Sequence, residues 1–456
     1  MKVLLVFAPY EFMKTVTSNQ FPLGLGYLAS YIRSKGIEVK IADLRHAINN
    51  DFAKLLTEYQ PDIVGISCMT TNQNEAYEIA RTAKRILGNS RVILGGVHAT
   101  FMYEEILKKI KEIDITVIGE GEITLHELCK AWEAGLSADS LAKINGIAYR
   151  ENGAVAVTPA REKIQIIDDL PIPAFDLVAL PDIECYFKNS RDLPVLTSRG
   201  CPFKCAFCST SVMHGQQYRK RDPEKIVDEL EFLINRYGAV SFSFVDDTFT
   251  VDKERTKKIC YEIIRRNLNI KWGCSARVDT LTADMLKIMK KAGCKGLFFG
   301  IESLNDNVLK KIKKGFTARK AVKMVKMAMD EGITVDTSFI LGLPGDSLDN
   351  SRKICDFVKK YKINGRVLTN TLQILPGTDM YLNPEYYGIK YSKNYKSTWS
   401  NSISFSEELS FKALLKEKVK IQYANHANHS EDARLYEIPY PAVSYNEAEV
   451  PEFIGP

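Results

Sequence analysis

Three cysteines, Cys201, Cys205 and Cys208, fall within eight residues of one another in the run Ser198-Arg-Gly-Cys-Pro-Phe-Lys-Cys-Ala-Phe-Cys-Ser209. A loop this compact can wrap three thiolates around one corner of a cuboidal iron–sulfur cluster and leave the fourth iron without a protein ligand. Clusters that only carry electrons are closed by four cysteines. An open iron offers a place for a substrate or cofactor, so three ligands argue for chemistry. Zinc is the alternative, because cysteines at short spacing also hold that ion. It needs a fourth ligand, and the nearest downstream candidate is His214.

The Cys-x3-Cys-x2-Cys spacing, with the aromatic Phe207 directly before the last cysteine, resembles the signature of the radical S-adenosylmethionine (SAM) enzymes. The resemblance implies a 4Fe-4S cluster whose open iron is chelated by the amino and carboxylate groups of SAM. It implies reductive cleavage of SAM to a 5′-deoxyadenosyl radical, with Phe207 near the adenine. A low-potential electron donor such as flavodoxin or ferredoxin is the partner this chemistry requires.

Strand and helix patterns alternate from Pro194, with strands expected near 194–197, 240–245, 271–276, 296–301, 334–341 and 368–375. Six such units suggest an incomplete (β/α)6 barrel, with chemistry at the carboxyl ends of the strands. Asp246 and Asp247 end the second strand, where the resemblance puts the group that receives the SAM amino function; capping the following helix is the structural alternative. Ser275 and Arg277 end the third. Arg277 either pairs with the SAM carboxylate or with Asp279 or a nearby Glu. Glu302 closes the fourth strand and, by resemblance, contacts the ribose and amino-acid part of SAM. The fifth strand ends Ile340-Leu-Gly-Leu-Pro-Gly345, and the sixth carries Gln373 as a polar contact near the adenine.

The first 135 residues alternate in the same way. Strands are expected at Val3–Ala8, Val39–Ala42, Ile63–Cys68, Val92–Leu94 and Ile115–Ile118, and helices at Leu23–Ser34, Phe52–Tyr59, Asn74–Leu87 and Ile123–Trp132. This is a Rossmann-like parallel sheet covered on both faces, whose ligands bind beyond the carboxyl ends of the strands. The loops there carry Leu23 and Gly24, then Ser67, Thr70 and Thr71, then Gly95, Gly96 and His98, then Gly119, Glu120 and Gly121. As an ordered set they resemble the cobalamin-binding domain that precedes many radical SAM cores. The resemblance implies that these residues line the corrin, with His98 near its edge. The Asp-x-His-x-x-Gly motif that ligates cobalt from below is absent, and His46 has the wrong spacing for it. A purely structural Rossmann-like domain is the alternative.

The expected organisation is therefore α/β throughout: a cobalamin-binding domain over 1–140, a hairpin and linker over 141–190, a radical SAM core over 191–380 and a C-terminal extension over 381–456. The hairpin turns at Asn152-Gly153. In the extension, Phe411–Tyr423 reads as an amphipathic helix, His426 and His429 as an exposed pair or ligands, and the tail from Tyr436 as extended chain over the barrel mouth.

Hydrophobic content of 45%, charged content of 26% and a net charge of +6 over 456 residues describe a globular protein with no nucleic-acid signature. No apolar run is long enough to span a bilayer. The ten cysteines show no disulfide spacing; Cys68, Cys129, Cys260, Cys274, Cys294 and Cys355 fall in strand or helix patterns, where a free thiol is a small apolar group. A reducing cytoplasm is the expected location, and Cys185 has no assigned role. The paired resemblance implies methyl transfer from methylcobalamin to an unactivated substrate carbon. Oxidative cyclisation or rearrangement with the same cofactors is the alternative. A methylthiolating enzyme would need further cysteines in the N-terminal domain, and a corrin sensor would need an output module. The substrate class stays open between peptide or protein, lipid and small metabolite, and no residue is selected as a general base.

Overall fold

The computed structural model describes residues 1–10, 20–45, 51–180, 192–389, 409 and 411–427. His46, Cys185, His429 and the tail from Tyr436 lie outside them.

Strand β1 (Lys2–Phe7) is apolar on both sides, as a strand in the middle of a covered parallel sheet must be. Its alternate residues part into two cores: Val3 and Leu5 join one cluster, Leu4 and Val6 the other. Around it lie β2 (Glu38–Asp43), β3 (Ile63–Ser67), β4 (Arg91–Gly95) and β5 (Ile115–Val117). Helices α1 (Leu23–Ser34) and α5 (Glu122–Glu133) bury Leu25, Ile32 and Leu128 in the first core. Helices α2 (Asp51–Tyr59), α3 (Gln73–Leu87) and α4 (Val97–Lys109) bury Leu56, Ile79 and Leu107 in the second. The order β5-β4-β3-β1-β2 reverses between β1 and β3, and a ligand crevice opens at such a switch point.

The sheet is wider than the five expected strands. A hairpin, β6 (Ile147–Glu151) and β7 (Ala154–Val157), adds two antiparallel strands beside β5. Its turn residues Asn152 and Gly153 both have positive φ, +48° and +80°, the geometry a two-residue hairpin loop needs. Arg150 on β6 donates to the carbonyls of Leu107 at 2.9 Å and Lys111 at 3.0 Å, so the hairpin also satisfies the end of α4. At the other edge, β8 (Val178–Leu180) from the linker pairs parallel with β2.

The second sheet comprises β9 (Leu193–Val195), β12 (Ser241–Phe244), β13 (Lys271–Ala276), β14 (Cys294–Glu302), β15 (Thr334–Leu341) and β16 (Val367–Thr371). All pairings are parallel and the order is sequential, the arrangement of a partial (β/α)6 barrel. A two-residue ribbon, β10 (Ser198–Arg199) with β11 (Arg219–Lys220), brackets the cysteine loop. The helix at Pro223–Tyr237 shows why these helices start and stop where they do. Asp222 accepts from the Glu224 and Lys225 amides, Pro223 occupies the first turn, and Gly238 ends it with φ +65°. The helix Phe411–Ala427 buries Leu414, Ile421 and Ala424 and leaves His426 exposed. Among the described residues no helix is long and apolar enough to cross a membrane.

Candidate functional site

The carboxyl ends of β1, β3, β4 and β5 open onto a cavity of about 590 Å³ that the second half of the chain closes. Leu23, Gly24, Ser67, Met69, Gly95, Gly96, Gly119, Glu120 and Gly121 line one side. Leu196, Ser209, Thr210, Met213, His214, Val245 and Asp247 line the other. At Gly24 and Gly119 an added Cβ would meet no protein atom within 4 Å, so backbone there is bared to whatever the cavity holds. Gly96 is needed for a different reason: at φ +98° its Cβ would lie 2.6 Å from the Cys68 carbonyl oxygen.

Three buried polar atoms on this wall have no hydrogen-bond partner among the described residues: the Tyr27 hydroxyl, His214 Nδ1 and Asp247 Oδ2. Tyr27 is 3% exposed. Burial holds the Tyr27 hydroxyl neutral, well above the ordinary tyrosine range. Burial also raises the Asp247 carboxyl, with His214 opposing and Asp246 adding. A largely apolar cavity with glycine at its strand ends, where a Cβ would fill open space, fits a large, flat ligand such as a corrin.

Thr70, Thr71 and His98 do not line this cavity. His98 is buried behind the β3 loop, its Nδ1 3.1 Å from Thr70 Oγ1 and its Nε2 3.1 Å from the Tyr77 hydroxyl. Burial pushes it down to about 4, so it is a neutral ring bracing the loop. Thr71 is half-buried in the short turn Thr70–Asn72.

Glu120 and Glu122, at the start of α5, tie the two halves together. Arg219 donates to Glu120 at 2.6 and 3.0 Å, and Arg199 donates to Glu122 at 2.5 Å and lies 3.5 Å from Glu120. The Ile164 amide of the linker donates to Glu120 at 2.9 Å. Burial alone would raise the Glu120 carboxyl, but His214, Arg219 and Arg199 hold it well below the usual carboxylate range. Nothing local in the sequence reveals this clamp, because its partners lie 77 and 99 residues apart.

The cysteine loop is fixed by its backbone. Gly200 has φ +89°, and a side chain there would strike the Gln217 carbonyl. The Cys201 amide donates to Gly215 at 3.1 Å and the Ala206 amide to Ile312 at 3.0 Å. Among the described residues no three His, Cys, Asp or Glu side chains are grouped to hold a single metal ion. His214 faces Glu120, with Nδ1 3.8 Å from its carboxylate. His214 is thus engaged by Glu120, and a cluster that takes each sulfur at a different corner suits a loop of three cysteines.

Around that loop the expected SAM contacts are partly engaged by the protein. Asp246 accepts from the Thr197 amide at 2.6 Å and from the Thr197 and Ser198 hydroxyls at 2.5 Å each. Neither it nor Asp247 caps the next helix, a task that falls to Asp252. Arg277 is held by Asp279, the alternative left open above. Glu302 has φ +70° at a register shift in β14, a strained backbone of the kind found at functional sites. Its carboxylate receives Lys314 at 3.0 Å and Ser338 at 3.1 Å. The Lys314 ammonium lies 5.5 Å from the Phe207 ring. Burial raises the Cys205 thiol, with Lys314 and Arg277 opposing. The Ser275 carbonyl accepts the Phe249 amide. The sixth strand ends at Thr371, so Gln373 sits half-buried in the extended segment beyond it.

Residues 195–358 match the radical SAM superfamily and residues 12–129 match the B12 binding domain. An uncharacterized methyltransferase of Pyrococcus horikoshii is 38% identical over 371 residues, covering 80% of this chain and 79% of that protein. The chain belongs to the cobalamin-dependent radical SAM enzymes. Its cofactors are a 4Fe-4S cluster, SAM and cobalamin. Another relative is the anaerobic magnesium-protoporphyrin IX monomethyl ester cyclase of Rubrivivax gelatinosus, 31% identical over 343 residues, covering 73% of this chain and 61% of that one. The fold is shared with the radical SAM methyltransferase TsrM from Kitasatospora setae, solved with cobalamin and a 4Fe-4S cluster. That match has a TM-score of 0.70 at 20% identity and covers 86% of this chain and 76% of TsrM.

Proposed function

We propose that this cobalamin-dependent radical SAM enzyme methylates an unactivated carbon of its substrate. When bound, the cluster and SAM supply a hydrogen-abstracting adenosyl radical and methylcobalamin supplies a methyl group. Cys201, Cys205 and Cys208 hold the cluster. Phe207, Asp247, Ser275, Glu302 and Gln373 surround SAM. Leu23, Gly24, Ser67, Gly95, Gly96, Gly119 and Gly121 cradle the corrin, while Thr70, Thr71 and His98 brace its loop. Asp246, Arg277 and Glu120 serve by positioning their neighbours.

The observation that carries this reading is the cavity shared by the two halves of the chain. Its walls combine the bared glycines of the first sheet with Ser209, Thr210, Met213 and His214, which directly follow the cysteine loop. A corrin seated there lies beside the cysteine loop, so a substrate bound between them would meet both cofactors. The apolar lining excludes water from a reactive carbon centre. No residue is assigned as a general base, because hydrogen-atom abstraction needs none. The electron comes from an external low-potential donor, a flavodoxin or ferredoxin.

The identity to a cyclase favours a second reading, oxidation of the substrate without methyl transfer. Anaerobic incubation of reconstituted protein with an extract of the source cells and methyl-labelled SAM separates the two. Label in a new product, with S-adenosylhomocysteine and deoxyadenosine both formed, supports methyl transfer; a product that loses hydrogen and takes no label overturns it.

A further inference from the structure

Arg277 stands at the end of β13 with its side chain only 7% exposed. An arginine has five N–H donors, and four are committed here. Nε and Nη2 each donate to a different oxygen of Asp279 at 2.9 Å, and Nη2 also donates to the Lys314 carbonyl. Nη1 donates to Cys205 Sγ at 3.6 Å. The guanidinium carbon lies 3.6 Å from the centre of the Phe203 ring, two residues before Cys205 in the cysteine loop. One N–H remains, too few for a forked grip on a carboxylate, so pairing with the SAM carboxylate, one of the two readings the sequence left open, is disfavoured.

We propose that Arg277 is a positioning residue for the iron–sulfur cluster: it holds the Cys205 thiolate by a directed N–H···S bond and so eases reduction of the cluster. Hydrogen bonds to the sulfurs are among the levers that set a cluster's potential. Asp279 balances the arginine's charge, so what reaches the sulfur is an oriented dipole more than a free cation. The Phe203 stack and the bidentate Asp279 pair fix that dipole in direction, and Lys314 links it onward to Glu302 and Ser338 across β14 and β15. The inference rests on the cluster, not on what is done to the substrate.

The test is an EPR-monitored redox titration of the reconstituted holoenzyme, with SAM binding measured beside it by equilibrium dialysis. Arg277→Gln is expected to make reduction roughly tenfold less favourable, about 59 mV for one electron, while Arg277→Lys recovers part of the shift. Asp279→Asn, which leaves the guanidinium charge unbalanced, is expected to move the potential the other way. If Arg277→Gln fails to hold iron and Arg277→Lys restores it, the positioning role is supported. Unchanged potentials in Arg277→Gln and Asp279→Asn, with SAM affinity lowered tenfold, overturn the proposal in favour of a SAM-carboxylate anchor. Loss of cluster in both Arg277 variants with an unmoved potential in Asp279→Asn overturns it too. Because substrate is absent from the titration, its failure is distinct from a failure of the methyl-transfer reading.

Discussion

Glu120→Gln tests the clamp that joins the two halves. Glu120, Glu122, Arg199 and Arg219 have side chains 4%, 6%, 7% and 1% exposed, and their two negative and two positive charges cancel. The amide keeps the shape but leaves one buried arginine charge uncompensated. Removing one partner of a buried pair costs about 3–5 kcal/mol. The amide oxygen can still accept one bond from Arg219, so the lower end is expected, about 3 kcal/mol or roughly a hundredfold in the folding equilibrium. Urea unfolding of the anaerobically purified protein measures it, with Arg219→Met and the double variant completing a cycle. The pH dependence gives a second check. The folded carboxyl is held below its ordinary value of 4.5, so its contribution is complete above that value and is lost as pH falls below it. The gap between wild type and Glu120→Gln should therefore close in acid. A cost below about 1 kcal/mol, or a gap that does not change in acid, refutes the reasoning.

Replacing Cys201, Cys205 or Cys208 singly by Ala is expected to abolish deoxyadenosine formation from SAM and lower the iron content of reconstituted protein, measured by iron and sulfide analysis. Gly24→Leu puts a side chain into the cavity without weakening α1. The fold should persist by circular dichroism while corrin retained after gel filtration falls at least roughly tenfold. Gly200→Ala forces a Cβ onto the Gln217 carbonyl at φ +89°. Cluster loading should drop although every cysteine is present, and unchanged iron stoichiometry would count against the loop geometry.

The framework was legible because its signals are local. The strands at 271–276 and 334–341 and the helix Leu23–Ser34 run as their apolar periodicity predicts. The Asn152-Gly153 turn has the backbone its residue pair demands. Helix α4 was missed because it begins with β-branched and aromatic residues after two glycines and is kinked at Met102. The cavity was legible in the glycine loops that line it but not in its ion pairs. Arg277 could be read as a ligand contact or as a partner of Asp279, and only the fold decides. Lys314 lies twelve residues from Glu302 in an otherwise unremarkable lysine-rich stretch. The Glu120 clamp depends on how two modules dock, which no window of sequence encodes.

Residues 158–177 pass from the hairpin at one margin of the first sheet to β8 at the opposite margin. On the way Asp168 accepts from Arg221 at 3.0 Å and from the Asp222 amide at 2.7 Å. The segment between the two modules is thus a girth strap, stitched to both. Anyone transplanting the front module onto another radical-generating core should cut after residue 180, because a graft severed near 140 would strip strands from both sides of its sheet and discard the buckle that faces the new host.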